Sequence, residues 1–269
     1  MTIRRTSRTT ATAKVAAALC AGALALTGLA ACSSSSDGSD DSSASSEAPS
    51  SSSNEVEAGD PAARAELEPK ALSGDEVPGI ALQEVPAEQL DQVSNSISNL
   101  TTQADFKADP PECSVAAMGT SPGTTASTIA RTAVAEDTPN IIYSIALNKQ
   151  GEDSLDRAKV FDECAQATVT INSPTQAGGE QTPTVFQVSN ERIDSPAPEG
   201  VESFVAGRST TDYDLADQHV SVGAVQISGT VNGVEILATA TSASGPVPPE
   251  AEARALDIFN RQASKIAQA

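Results

Sequence analysis

The chain has 269 residues, with 36 Asp and Glu against 16 Lys and Arg, a formal net charge of −20 and only 3% aromatic residues. So acidic a surface repels phosphate backbones and anionic headgroups, which excludes nucleic acid as a partner and lipid docking by charge alone. A single His leaves little material for imidazole chemistry and, with only two cysteines in the expected folded domain, cannot complete a common structural zinc site, so no cofactor or metal is expected.

Residues 1–31 read as an export signal. Arg4, Arg5, Arg8 and Lys14 precede a small, apolar run from Val15 to Leu29. That run is shorter than the roughly 20 residues a membrane-spanning helix needs. It closes on Leu29-Ala30-Ala31-Cys32, which resembles the bacterial lipobox. The resemblance implies cleavage before Cys32 and acylation of its sulfur, giving a lipid anchor in the cell membrane and an extracytoplasmic location. An ordinary secretory signal cleaved after Ala-x-Ala is the competing reading. Arg4-Arg5 leaves the export route open. Removing the signal takes four basic residues and no acidic one, so twelve Lys and Arg face 36 Asp and Glu in the mature chain.

Residues 32–69 form the expected tether. Thirteen of the 21 residues from Ser33 to Ser53 are Ser, a composition that cannot bury enough apolar surface to offset its conformational entropy. As a flexible coil the 37 residues from Ser33 to Pro69 span roughly 30–37 Å. Residues 70–269 are the expected folded domain.

Within it, Pro86 opens a helical pattern in which Val85, Leu90, Val93, Ile97 and Leu100 recur at spacings near three and four. Gly119-Thr120-Ser121-Pro122-Gly123 fits the pattern of a nucleophile elbow, but Pro122 has no backbone N–H for an oxyanion hole, so the segment reads as a turn. Strands are expected over 127–134 and 140–147, joined by the turn residues Glu136-Asp137-Thr138-Pro139. A helix capped by Asp153 or Ser154 is expected to run to about Ala167 with Phe161 on its apolar side. Short strands follow at 168–171, 184–188 and 202–209.

Asp212, Asp214 and Asp217 lack the spacing of a calcium loop and read as a solvated loop. His219 reads as an exposed residue at a strand start. Asn232-Gly233 predicts a type I′ hairpin, with Val225, Ile227, Gly229 and Val231 sharing a face with Val234, Ile236, Ala238 and Ala240. Val220 and Val222 are out of phase with Val225 and Ile227, and a bulge at Gly223 would restore a common face. Pro248-Pro249 opens a last helix whose apolar stripe of Ala255, Ile258, Phe259 and Ile266 is interrupted by Gln262.

Of the four cysteines, Cys20 leaves with the signal and Cys32 takes lipid, so Cys113 and Cys164 remain. In an oxidising compartment they read as one disulfide closing 51 residues, the alternatives being two separate thiols or an intermolecular bridge. Pro111-Glu112-Cys113, the helix ending in Phe161-Asp162-Glu163-Cys164, the late hairpin and the closing helix together resemble the extracellular sensor domain of the PknH-type actinobacterial receptor kinases and their lipoprotein relatives. That resemblance implies an α+β fold with a ligand cleft, although the sensor domain of the kinase carries two disulfides where this chain has material for one. The fold expected is a single α+β domain, with an antiparallel sheet of about six to seven strands and amphipathic helices packed on it. The function expected is a non-catalytic ligand-binding or sensing domain on a membrane-anchored cell-envelope lipoprotein. The partner is an undetermined small molecule, lipid or envelope protein. A carrier of lipid or another apolar envelope molecule is the alternative. An envelope hydrolase is disfavoured because no acid, base and nucleophile constellation is legible.

Overall fold

The computed structural model describes residues 61–93, 105–113, 128–149, 157–172, 183–215 and 218–269. Cys32, the elbow-like segment 119–123 and the second half of the helix expected after Pro86 lie outside these residues. Among the described residues the fold is α+β, as expected, with one antiparallel sheet of nine strands rather than six or seven. They are β1 (Gln83–Glu84), β2 (Asp105–Asp109), β3 (Ile129–Ala135), β4 (Thr138–Lys149), β5 (Gln166–Asn172), β6 (Thr184–Arg192), β7 (Glu202–Leu215), β8 (Gln218–Val231) and β9 (Val234–Ser242). Their spatial order is β1-β3-β4-β9-β8-β7-β6-β5-β2. The helices are α1 (Pro61–Leu67), α2 (87–93), α3 (Arg157–Glu163) and α4 (Pro249–Gln268). Leu67 is fully buried, so the packed structure includes a stretch that the sequence places in the tether.

The central hairpin forms where the turn chemistry puts it. Asn232 and Gly233 both have positive φ, 50° and 74°, as a type I′ turn requires, and Val231 pairs with Val234. One face of the sheet carries Val225 and Ile227 of β8, Ile236, Ala238 and Ala240 of β9, and Tyr143, Ile145 and Leu147 of β4, all within 2% of full burial. On this first face lies α4 with Ala251, Ala255, Ile258, Phe259 and Ile266 inward. Burying Ile258, Phe259 and Ile266 contributes on the order of 1.5–3 kcal/mol each. Small residues make the approach possible: a Cβ on Gly229 would sit 3.0 Å from the Phe259 ring and 2.5 Å from Val201. Gln262 is part of the packing, not a break in it. Fully buried, it accepts from Leu72 N at 2.9 Å and donates to Lys70 O at 2.7 Å, tying the chain after α1 to α4. Lys265 reinforces the tie through Ala71 O and both oxygens of Glu76, and that ammonium, with Ser73 behind it, holds the Glu76 carboxyl down at about 2.

The second face is covered differently. The strand β8 pairs with β7 without a break from Gln218 to Ser228 and with β9 from Gly223 to Val231, so Gly223 is not a bulge; the register shift in this pairing lies on β7, between Glu202 and Val205. Because β8 keeps strict alternation, Val220 and Val222 point to the second face, where they join Val169, Ile171, Phe186, Tyr213 and Phe106 in a separate cluster. Beside it the Cys113–Cys164 disulfide, with Cα atoms 5.6 Å apart, packs on Ala167 and Val188. The helix before Cys164 ends at Glu163 rather than near Ala167, since Ala167 is already a β5 residue paired with Val188. Phe161 of α3 presses on bare backbone: a Cβ on Gly207 would meet its ring at 2.4 Å. Toward the other edge of this face, Val85 and Leu90 pack on Ala130 and Ala146.

Candidate functional site

Between the two covers of the second face, the side chains of β4, β9 and β8 form a polar floor whose composition follows from the register. Asn148, Glu235 and Thr230 stand in one row across the three strands, then Ala146, Leu237 and Ser228, then Ser144, Thr239 and Gln226. The residues between them along each strand are the dry core of the opposite face. From Ala146 under α2 to Gly207 under α3 is three strand spacings, about 14 Å. Ser228 and Thr230 are buried, and the Ser144 and Thr239 hydroxyls are hydrogen-bonded at 2.6 Å.

Arg157, the first residue of α3, reaches onto this floor and is only 5% exposed. Its Nη1 donates a long hydrogen bond to Gln226 Oε1 at 3.4 Å, and Nη2 lies 4.0 Å from Glu235 Oε1, beyond hydrogen-bond reach. Its Nε and Nη2 are both buried and have no hydrogen-bond partner among the described residues. Burial pushes the guanidinium pKa below its ordinary value, with Glu235 opposing the shift. Arg64 and Arg131 also hide one unpaired nitrogen each, but each holds a carboxylate, Glu84 at 2.8 Å and Glu68 at 2.5 Å. Arg157 holds none at that range. A buried donor left unmade costs about 1–3 kcal/mol, so a fold keeping two on one side chain keeps an expensive arrangement.

The residues singled out in the sequence fall elsewhere. His219 is on the first face, opposite to Gln226, and seven residues along β8 from it, roughly 23 Å. It is exposed beside Asp214 at 3.2 Å and Asp212 at 3.5 Å. Those two aspartates are β7 residues in the hairpin with β8, not members of a loop. Among the described residues no group of three or more His, Cys, Asp or Glu is arranged to hold a metal ion. The Ser144–Thr239 hydroxyl pair therefore has no imidazole within reach. Among the described residues each carboxyl group with a displaced pKa is lowered by a cation: Glu66 by Lys149, Glu76 by Lys265 and Asp137 by Arg254. No helix among the described residues is long and apolar enough to cross a membrane.

Sequence reasoning missed Arg157, Gln226 and Glu235. The only signal was the alternation of Gln226, Ser228 and Thr230 with Val225, Ile227 and Gly229, which reads equally well as a solvent face. No family model and no curated protein matches the chain. Among solved structures, the X-ray structure of a putative uncharacterized protein from Mycobacterium smegmatis, the Rv0999 ortholog, matches at 14% identity and a TM-score of 0.35, covering 78% of this chain and 98% of that one.

Proposed function

We propose that the chain is a cell-envelope lipoprotein, anchored through Cys32, whose folded domain binds or senses a small ligand without transforming it. The observation that carries the binding half is Arg157: a protonated guanidinium, shielded from water, with two donors unmet over a floor of hydroxyl and amide groups. Such a group is costly in an empty protein and becomes useful when a ligand supplies the acceptors. A charge in the middle of the floor disfavours a purely apolar cargo, which argues against the carrier reading. The absence of an imidazole beside the Ser144–Thr239 pair argues against acyl-transfer chemistry on this face. The resemblance to PknH-type sensor domains points the same way, toward recognition rather than turnover.

Anchorage is tested by detergent partitioning of the full chain. The unaltered protein is expected in the detergent phase and Cys32→Ala in the aqueous phase, because attachment runs through that sulfur. Cys32→Ala remaining in the detergent phase removes the lipoprotein reading.

A further inference from the structure

The two free donors of Arg157 are not an arbitrary pair. In a planar guanidinium Nε and Nη2 lie along one edge with parallel N–H bonds, the edge that a carboxylate accepts bidentately. Nη1, on the other side, is the nitrogen turned to Gln226. By itself this fork would take any planar oxyanion.

Glu235 narrows the choice. Its side chain is 14% exposed and its Oε1 stands 4.0 Å from Nη2, so the arginine and the glutamate cancel in charge without bonding to each other. A lone anion in the fork would sit beside the Glu235 carboxylate and leave a shielded patch with net negative charge. Repulsion at such range in a poorly hydrated site is strong. A molecule carrying both signs on neighbouring atoms avoids it.

We propose that Arg157 and Glu235 together bind the α-amino carboxylate group of a small amino acid or amino-acid derivative. The ligand carboxylate accepts from Nε and Nη2 of Arg157, and the ligand ammonium donates to Glu235. The 4.0 Å gap suits this arrangement, because two opposite charges held side by side on the ligand span it as the fourth side of a closed ring of alternating sign. Thr230 stands beside Glu235 in the register and shares its face, so its hydroxyl is placed for a remaining ammonium proton. The proposal rests on the reading of the Arg157 face as the binding site.

Calorimetric titration of the full chain at fixed ionic strength tests it, with glycine and L-alanine as zwitterions, acetate as the anion alone, ethylamine as the cation alone, and inorganic phosphate. Glycine or L-alanine is expected to bind at least about tenfold more tightly than the other three probes. Arg157→Lys keeps the charge but removes the fork, and Glu235→Gln keeps the shape but removes the charge; each is expected to weaken zwitterion binding about tenfold or more. Glu235→Gln is also expected to shift preference toward acetate, which mere loss of structure would not do. If acetate or phosphate binds as tightly as glycine and is lost in Arg157→Lys, the amino-acid assignment is overturned while the binding-site reading stands. If no probe binds and both variants are less stable than the unaltered chain, Arg157 and Glu235 are an internal ion pair and both readings fall.

Discussion

A buried arginine kept for a ligand should make the empty protein less stable than it needs to be. The double variant Arg157→Met/Glu235→Gln removes both charges at near-constant volume. It removes two buried unmet donors, worth about 1–3 kcal/mol each, and the desolvation of two shielded ions. Against that it loses an attraction across 4.0 Å, which at an effective dielectric of 20 is about 4 kcal/mol, and a marginal 3.4 Å hydrogen bond to Gln226. Replacing buried ion pairs by uncharged side chains of similar size is commonly neutral or stabilising by about 1–4 kcal/mol. We expect a gain of about 1–3 kcal/mol, seen as a higher urea midpoint with an unchanged slope by circular dichroism with the disulfide intact. In a domain of this size class each kcal/mol raises Tm by roughly 2–4 °C. Arg157→Met alone is expected to gain less, because it leaves Glu235 without its cation. A double variant less stable by 1 kcal/mol or more would refute the reasoning, since the guanidinium would then be contributing to the fold.

Reducing the Cys113–Cys164 disulfide, or replacing both residues by Ala, removes the closure of 51 residues and is expected to cost up to about 4 kcal/mol, read as a lower Tm in reductant. Gln262→Leu leaves Leu72 N and Lys70 O without their partner inside a packed seam, and urea unfolding should show a loss of about 2–4 kcal/mol; a loss under 0.5 kcal/mol would mean that water replaces the amide. Glu76, held at about 2 by Lys265 and Ser73, is depressed below its unfolded value near 4.5, so its stabilisation is full above that value and lost as pH falls toward 2. Its side chain is 37% exposed, and after solvent screening the difference between the unaltered chain and Glu76→Gln is expected to be about 1 kcal/mol at pH 6 and to vanish near pH 2.

The parts of this fold legible in the sequence are those set by local chemistry. Asn232-Gly233 demands positive φ at two successive residues, Pro248-Pro249 opens a helix, and Cys113 and Cys164, the two cysteines of the expected folded domain, pair with each other. What was missed depends on a sheet apolar on both faces. With one core in view, Val220 and Val222 ask for a bulge; with two, straight alternation through Gly223 serves both. Gln262 looks like a flaw in an apolar stripe because its partners, Lys70 and Leu72, are about 190 residues away. The edge strands β1 and β2 have two and five residues, too few for a periodic signal. Arg157 was hidden for the same reason of distance: near the start of a short helix it reads as a solvated charge, and it is buried because α3 packs on β6 and β7 while its side chain reaches Gln226 of β8 and Glu235 of β9.

Native mass spectrometry of the full chain, purified under mild conditions from the cells that make it, tests most directly whether the Arg157 face is a binding site. The expected result is a small non-covalent adduct on the unaltered protein, absent from Arg157→Met/Glu235→Gln although that variant is folded and at least as stable. The same adduct on both proteins would contradict a binding role for Arg157 and Glu235.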